Sequence, residues 1–169
     1  MKHPKTKLII GFIFKNEAVL SKAIDILRKY FGKIDFESQI IDFNFTTYYQ
    51  KEIGTGLKRK FISFNKLIDP AKLPDIKILA NKIEGKFSVK GNRCINIDPG
   101  YIDLAKLVLA STKDFTHRIY LNKGIYAEIT LFYQGNSFKS WDLTYPDYRT
   151  DKYIEIFNRL RQIYAQQIK

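Results

Sequence analysis

The chain has 169 residues, a formal net charge of +12 at pH 7 and one cysteine, Cys94. This length fits one domain with its own hydrophobic core, and a single cysteine excludes an intrachain disulfide and a zinc site built from several cysteines. The apolar run at 8–14 is too short to cross a bilayer and no small-residue cleavage site follows it. We therefore expect a cytoplasmic protein without a membrane segment.

The first hundred residues alternate between strand-like and helix-like patterns, with helix starts at Asn16 and Asp69 and a helix stop at Gly32. The predicted elements, in chain order, are a strand at 7–14, a helix at 16–32, strands at 34–45 and 57–64, a helix at 69–87 and a strand at 92–98. This β-α-β-β-α-β order is ferredoxin-like.

The remaining residues predict an α-β-β-α extension: a helix at 102–112, a hairpin of strands at 115–121 and 125–133, and an amphipathic helix from Asp151. Pro99-Gly100 is expected to end the strand before this extension. We predict a single α+β domain over residues 1–169, with a mixed, mostly antiparallel sheet covered by helices.

Lys58, Arg59 and Lys60 form the densest basic cluster and lie on the third strand of the ferredoxin-like order. The next four residues, Phe61–Phe64, fit the end of the aromatic signature of RNA-recognition motifs, but the basic cluster stands where that signature has a glycine, an aromatic and a small residue. Two interpretations stay open. The cluster is either a nucleic-acid contact or part of a solvated basic surface.

Asn96 and Asp98 share one face of the strand at 92–98. Asp98 is either a catalytic base or metal ligand at the strand end, or the cap of the following helix with Pro99 at its first position. An amide such as Asn96, flanked by isoleucines in a strand, must find hydrogen-bond partners.

Asn122-Lys123-Gly124 predicts a three-residue hairpin loop. The resulting register pairs Arg118 with Glu128 and Tyr120 with Tyr126 on a polar, aromatic face. This face is either a solvated ion pair or a ligand-facing wall, in which Arg118 binds an anion and the tyrosines stack on a ring.

The only histidine near these groups is His117. Strand alternation places it on the opposite, apolar face from Arg118, so the two side chains are not expected to serve the same site.

Two segments without periodicity carry many polar and aromatic residues: 46–52 and 141–149. Functional side chains are often on such loops, and Arg149 is the candidate phosphate ligand of the second one. Lys113 and Asp114 lie in the loop that precedes the hairpin and are further candidates for ligand contact.

Four blocks of the sequence, FTTYYQKEIGTGLKRKFISF, NIDPGY, STKDFTHRIYLNKGIYAEIT and TYPDYR, resemble the signature blocks of the bacterial domain-of-unknown-function family 4416. The blocks occur in the same order and span nearly the whole chain, so the resemblance implies one family domain. The chain departs from the pattern at Thr47, where an acidic residue is usual, and at Ile53, where methionine is usual. The resemblance implies no activity.

The leading functional hypothesis is a domain that binds a small phosphorylated ligand such as a nucleotide, with Mg²⁺ as a companion of the nucleotide and no metal site of the protein's own. If the ligand is turned over, Asp98 or Glu128 would act as base or metal ligand and Arg118 or Arg149 would bind the phosphate. The alternatives are a protein-interaction domain without a ligand, in which aromatic loops pack on a partner, and an RNA-binding module. Convergence of the polar candidates on one concave pocket would favour the first hypothesis.

Overall fold

The computed structural model describes residues 3–169. In this part of the chain nine strands form one sheet, accompanied by four α-helices and two short 3₁₀ turns, which confirms the α+β class. The strands are β1 (Lys7–Phe14), β2 (Ile34–Glu37), β3 (Ile41–Asp42), β4 (Lys58–Phe64), β5 (Ile95–Ile102), β6 (Lys106–Ser111), β7 (Arg118–Asn122), β8 (Ile125–Gln134) and β9 (Ser137–Ser140). The helices are α1 (Glu17–Phe31), α2 (Gln50–Ile53), α3 (Leu73–Lys86) and α4 (Asp151–Gln167).

The sheet has the strand order β2-β4-β1-β5-β6-β8-β7, with β3 beside β4 and β9 beside β8. All strand pairs within residues 3–169 are antiparallel. The first four strands of this order reproduce the ferredoxin-like arrangement, with α1 and α3 as its helices. The predicted β-α-β-β-α-β start is thus confirmed.

Helices cover both faces of the sheet. α1 begins where the side chain of Asn16 accepts a hydrogen bond from the amide of Ala18, and it ends at Gly32, whose φ is +84°. α1 and α3 pack on the face of β1 that carries Leu8, Ile10, Phe12 and Phe14, and α4 packs on the opposite face. β1 is therefore buried on both sides, which explains its continuous apolar run.

Lys7, at the start of β1, is a fully buried cation. Its ammonium donates hydrogen bonds to Asp35 (2.6 Å), to the side chain of Gln167 (2.7 Å) and to the carbonyl of Phe64 (3.2 Å). Burial lowers the pKa of Lys7, and the bond to Asp35 opposes that effect. All three N–H donors are satisfied, so this network ties β1, β2 and α4 together.

The predicted helix at 102–112 is wrong, because this segment is a turn followed by β6. The side chain of Asp103 accepts hydrogen bonds from the amides of Ala105 (2.7 Å) and Lys106 (2.8 Å) and closes a turn between β5 and β6. The run Leu107–Ala110 is buried throughout, and burial on both faces suits a strand as well as a helix. The extension is therefore β-β-β-β-α rather than α-β-β-α.

Pro99-Gly100 does not end the strand as predicted but lies inside β5. A Cβ at Gly100 would overlap the carbonyl oxygen of Val108, so glycine is needed where β6 approaches β5. Pro99 pairs with Ile10 of β1, and β6 begins its pairing only at Gly100. The missing N–H of Pro99 therefore falls on an unpaired side of the strand.

The register of the β7–β8 hairpin is confirmed, because Arg118 pairs with Glu128 and Tyr120 pairs with Tyr126. The loop differs from the predicted three residues. Lys123 and Gly124, with φ of +52° and +75°, form a two-residue turn, and the ladder shifts between Tyr120 and Asn122.

Two further boundaries differ from the sequence predictions. The expected strand at 34–45 is interrupted at Ser38, whose hydroxyl accepts a hydrogen bond from the amide of Phe61. The strand β9 was missed, and it follows a two-residue turn in which Gly135 and Asn136 both have positive φ.

No helix within residues 3–169 combines the length and the apolar character that a membrane crossing requires.

Candidate functional site

A cavity opens where β5 and β6 separate. β5 pairs with β1 along its whole length but with β6 only from Gly100 to Ile102. At Ile97 two side chains of α3 take the place of a neighbouring strand: Glu84 accepts from the Ile97 amide at 2.7 Å, and Lys77 donates to the Ile97 carbonyl at 3.2 Å. These bonds satisfy both backbone groups of Ile97 on the free edge of β5, and space remains between the two strands.

The cavity has a volume of about 730 Å³, in the range of small-molecule sites. It is lined from four directions, by α3, by β4 and β5, by the end of β6 with the hairpin, and by the loops at 43–49 and 145–148. Its polar and aromatic lining consists of Phe43, Phe45, Thr46, Tyr48, Tyr49, Arg59, Lys77, Asn81, Glu84, Arg93, Asn96, Asp98, Ser111, Thr112, Lys113, Arg118, Glu128, Tyr145, Asp147 and Tyr148.

Asp98 provides the carboxylate of the β5 wall. It accepts hydrogen bonds from Asn96 (2.6 Å) and Lys77 (3.4 Å), and Arg59 lies 3.8 Å away. Its side chain is 24 % exposed, so it is accessible from the cavity. The alternative in which Asp98 caps a helix is wrong, because Asp98 lies inside β5 and the next element is the strand β6.

Arg59 of β4 lies opposite Ile13 of β1 and is almost completely buried. It donates to Asp147 at 2.8 Å and to the hydroxyl of Tyr153 at 3.2 Å, and aromatic rings surround its guanidinium group. Burial disfavours the charged form, but the Coulombic interactions with Tyr148, Tyr153 and Asp147 outweigh it and raise the pKa of Arg59. The group is a permanent buried cation beside the cavity.

The opposite wall carries Arg118 and Glu128. The Nε of Arg118 donates to Glu128 at 3.0 Å, and the two side chains are 7 % and 4 % exposed, so this is not a solvated surface pair. The other carboxylate oxygen of Glu128 accepts from the hydroxyl of Thr130 at 3.3 Å. Burial opposes the charge of Arg118, but its bonds to Glu128 and Tyr145 outweigh burial and raise the pKa of Arg118.

His117 reaches the same carboxylate, and the prediction that it faces away from Arg118 is wrong. The amide of Arg118 donates to the carbonyl of Phe115, so a turn precedes β7 and strand alternation does not extend to His117. Nε2 of His117 lies 3.0 Å from Glu128, although the ring N–H does not point along a hydrogen-bond direction. His117 therefore packs behind Glu128, outside the cavity lining.

Two exposed tyrosines and two cations form the mouth of the cavity. Lys113 donates to the hydroxyl of Tyr48 at 2.8 Å, and Arg118 donates to the hydroxyl of Tyr145 at 3.0 Å. Arg118 also donates to the backbone carbonyl of Lys113 at 2.9 Å, so the four residues form one connected group. This group links the loops at 43–49 and 145–148.

Arg93 lies at the end of the cavity nearest α2. It binds Glu52 through two nitrogens, at 2.9 and 2.8 Å, and donates to Glu84 at 3.4 Å and to Asn96 at 3.0 Å. Hydrogen bonds from Arg93 lower the pKa of Glu52, whereas burial raises the pKa of Glu84. Asn96 thus has its predicted hydrogen-bond partners, one as donor and one as acceptor.

The structure brings five of the nine residues predicted for the ligand site to this cavity: Asn96, Asp98, Lys113, Arg118 and Glu128. It does not bring Asp114, Tyr120, Tyr126 or Arg149 into the lining.

The predicted residues outside the lining have other contacts. Tyr120 and Tyr126 pack edge to face nearer the hairpin tip, with ring centroids 5.3 Å apart, and Asp114 is exposed. Arg149 donates to the carbonyls of Thr144 and Asp142 and thereby orders its own loop.

Lys58, Arg59 and Lys60 do not form one basic surface. Lys58 pairs with Glu17 at 3.2 Å and Lys60 pairs with Glu37 at 2.8 Å, whereas Arg59 is buried on the other face of β4. Alternation along the strand separates the three charges.

Sequence reasoning missed Lys77, Glu84 and Arg93. A signal for the first two was present, because Lys77 and Glu84 continue the buried stripe of α3 that includes Leu73 and Ala80. Charged residues on the core side of a helix require partners, and here β5 and the cavity provide them.

Within the described residues, no three His, Cys, Asp or Glu side chains cluster closely enough to hold a metal ion.

A family model described as "Domain of unknown function (DUF4416)" matches residues 4–164, nearly the whole chain. No curated protein and no solved structure matches the chain significantly. The chain belongs to the DUF4416 family, in agreement with the blocks quoted from its sequence.

Proposed function

We propose that this member of the DUF4416 family binds a small phosphorylated ligand with a planar ring, of the nucleotide class, in the cavity between β5 and β6. The observation that carries the proposal is the convergence of Asp98, Lys113, Arg118 and Glu128 on one concave site, although they come from three separate strands and a loop. Convergent polar and charged groups in one concave cavity are typical of ligand sites.

The aromatic side chains support the planar part of the ligand. Phe45, Tyr48 and Tyr145 line the cavity and are 39 %, 58 % and 52 % exposed. Exposed rings at the mouth of a cavity lose water when a flat group stacks on them, and base–aromatic stacking is worth about 1–3 kcal/mol per base. The cations at the same mouth provide hydrogen-bond donors for an anionic group.

The carboxylates offer chemistry beyond binding. Asp98 is accessible from the cavity and is held by Lys77 and Asn96, which orient its carboxylate toward a ligand hydroxyl as the position of a general base requires. Glu128 is held in place by Arg118, so its carboxylate is positioned to orient a ligand group.

A thermal-shift screen with nucleotides, in the presence and absence of Mg²⁺, tests the proposal. At a ligand concentration about 100 times Kd the stabilisation is about 2.7 kcal/mol, which corresponds to a rise in Tm of about 5–10 °C for a domain of this size. Incubation of each binding nucleotide with the protein, followed by chromatography, shows whether the ligand is turned over. A panel without any shift contradicts the proposal.

Arg118→Gln and Arg149→Gln form a matched pair for this screen. Both remove an arginine near the mouth loops, but only Arg118 lines the cavity. Arg118→Gln should abolish most of the ligand-induced shift and Arg149→Gln should retain it. Equal loss in both variants would mean that the loop at 141–149, not the cavity, determines binding.

We also propose a cytoplasmic location, in agreement with a sequence whose single cysteine, Cys94, provides no intrachain disulfide. Cell fractionation with an antibody against the chain tests it, and recovery with secreted or periplasmic proteins would contradict it.

A further inference from the structure

The charges that line the cavity are matched almost one to one. On the side of β4 and β5, Arg59 pairs with Asp147 at 2.8 Å and Lys77 pairs with Asp98 at 3.4 Å. Three of these four side chains are less than 10 % exposed. Each of the two cations therefore already has a resident carboxylate as its counter-ion.

The same holds for two further cations. Arg118 pairs with Glu128 at 3.0 Å, and Arg93 pairs with Glu84 at 3.4 Å. Arg93 also binds Glu52, which lies outside the lining, at 2.8 Å. A strongly anionic ligand group would have to displace these carboxylates or lie beside them, and like charges at short range in a partly buried site are costly.

Lys113 is the exception. Its ammonium contacts a neutral group, the hydroxyl of Tyr48, and lies 4.7 Å from the centroid of that ring. No carboxylate within residues 3–169 lies at ion-pair distance from it. Among the five cations of the lining, Lys113 alone has an uncompensated charge.

We infer that the phosphate of the ligand carries a single negative charge, as in a phosphodiester, and is bound at the mouth by Lys113. This inference rests on the proposed function and specifies the class of its ligand. A phosphodiester brings one charge to one free cation, whereas a terminal phosphomonoester carries about −1.5 to −2 at neutral pH. A triphosphate brings several more charges to a lining whose other cations are already neutralised.

Calorimetric titration with four adenine compounds and the matching guanine series tests the inference. Adenosine is uncharged, adenosine 3′,5′-cyclic monophosphate is a phosphodiester, and AMP and ATP carry increasing charge. The cyclic compound should bind at least about tenfold more tightly than the triphosphate and more tightly than the uncharged nucleoside. ATP is measured with and without Mg²⁺.

Variants of Lys113 assign the effect to its charge. Lys113→Gln should reduce the affinity for the cyclic compound about tenfold, and this loss should be much larger than any change in nucleoside affinity. Lys113→Arg should retain most of the affinity. Lys123→Gln removes the same charge from the exposed hairpin tip, where Lys123 pairs with Asp75, and should leave affinity for the cyclic compound at the wild-type value.

The outcomes separate the two proposals. Tightest binding of ATP, or equal binding of nucleoside and cyclic compound, overturns the single-charge inference and leaves nucleotide binding intact. Absence of binding by all compounds of both series overturns the proposed function and the inference with it.

Discussion

Replacement of Arg59 by methionine should lower the free energy of unfolding by about 3–5 kcal/mol, because it leaves one member of a buried ion pair without its partner. Arg59 and Asp147 are 3 % and 7 % exposed and their charged atoms are 2.8 Å apart. Methionine fills much of the space between the aromatic rings, so the loss comes mainly from the orphaned carboxylate of Asp147 rather than from a cavity.

Lys60 offers the matched control on the same strand. Its pair with Glu37 has the same 2.8 Å separation, but the side chains are 16 % and 39 % exposed. Lys60→Met should therefore cost less than about 1 kcal/mol. The two broken pairs have the same separation and differ in burial, and Arg59 also loses its hydrogen bond to Tyr153.

Urea denaturation at neutral pH measures both costs, provided that the slope m is the same in all proteins. A domain of this kind is stable by about 5–15 kcal/mol, so Arg59→Met should still fold. The double variant Arg59→Met/Asp147→Leu should recover a large part of the loss, because no buried carboxylate is then left unpaired. A cost for Arg59→Met equal to that for Lys60→Met would refute the burial argument.

Three further effects follow from the fold. Gly100→Ala should destabilise the protein by more than about 2 kcal/mol, because the added Cβ overlaps the backbone of Val108. Gly85→Ala, which has open space around a helical backbone, should stabilise the protein by about 0.5–1 kcal/mol. Urea denaturation measures both changes, and equal effects would contradict the close approach of β6 to Gly100. Because burial raises the pKa of Glu84, its contribution to stability is present below pH 4.5 and is lost as pH rises through the raised value. The wild type should therefore lose stability relative to Glu84→Gln as pH rises above 4.5, and parallel unfolding profiles would contradict this. Lys7→Met should lower the free energy of unfolding by about 3 kcal/mol, because it removes a buried cation whose three N–H donors all have hydrogen-bond partners. Thermal or urea unfolding measures this loss, and a loss below about 1 kcal/mol would mean that the Lys7 network contributes little to stability.

The sequence was sufficient to predict the helix ends and strand pairs that neighbouring residues determine. Asn16 and Gly32 bound α1 as predicted, and alternation along the hairpin correctly paired Arg118 with Glu128. The same alternation failed at His117, because the turn that precedes β7 shifts the start of the strand, and no residue pattern marks that boundary. The segment at 102–112 failed for a related reason, since a strand buried on both faces has no periodicity that distinguishes it from a helix.

The candidate site was only half predictable. Asp98 and Glu128 could be selected because each is an acid within a strand, but their partners come from distant parts of the chain. Arg59 and Asp147 are 88 positions apart and meet through the packing of α4 and its preceding loop on the sheet. Lys77 contacts Asp98 across the separation of β5 from β6, a tertiary feature without a local signature.

Because β5 and β6 separate, the sheet consists of two halves that are joined by only a short ladder. Three residue pairs, from Gly100–Leu109 to Ile102–Leu107, are the whole ladder between the ferredoxin-like half and the hairpin half. α3 spans this narrow strip, with Lys77 bound to β5 and Leu73 packed on Val108 of β6. The angle between the two halves of the sheet is thus set by α3 on one face and by α4, which packs on strands of both halves, on the other face. A substitution on α3 that never touches a ligand can therefore change the width of the cavity, and with it the size of the molecule that fits.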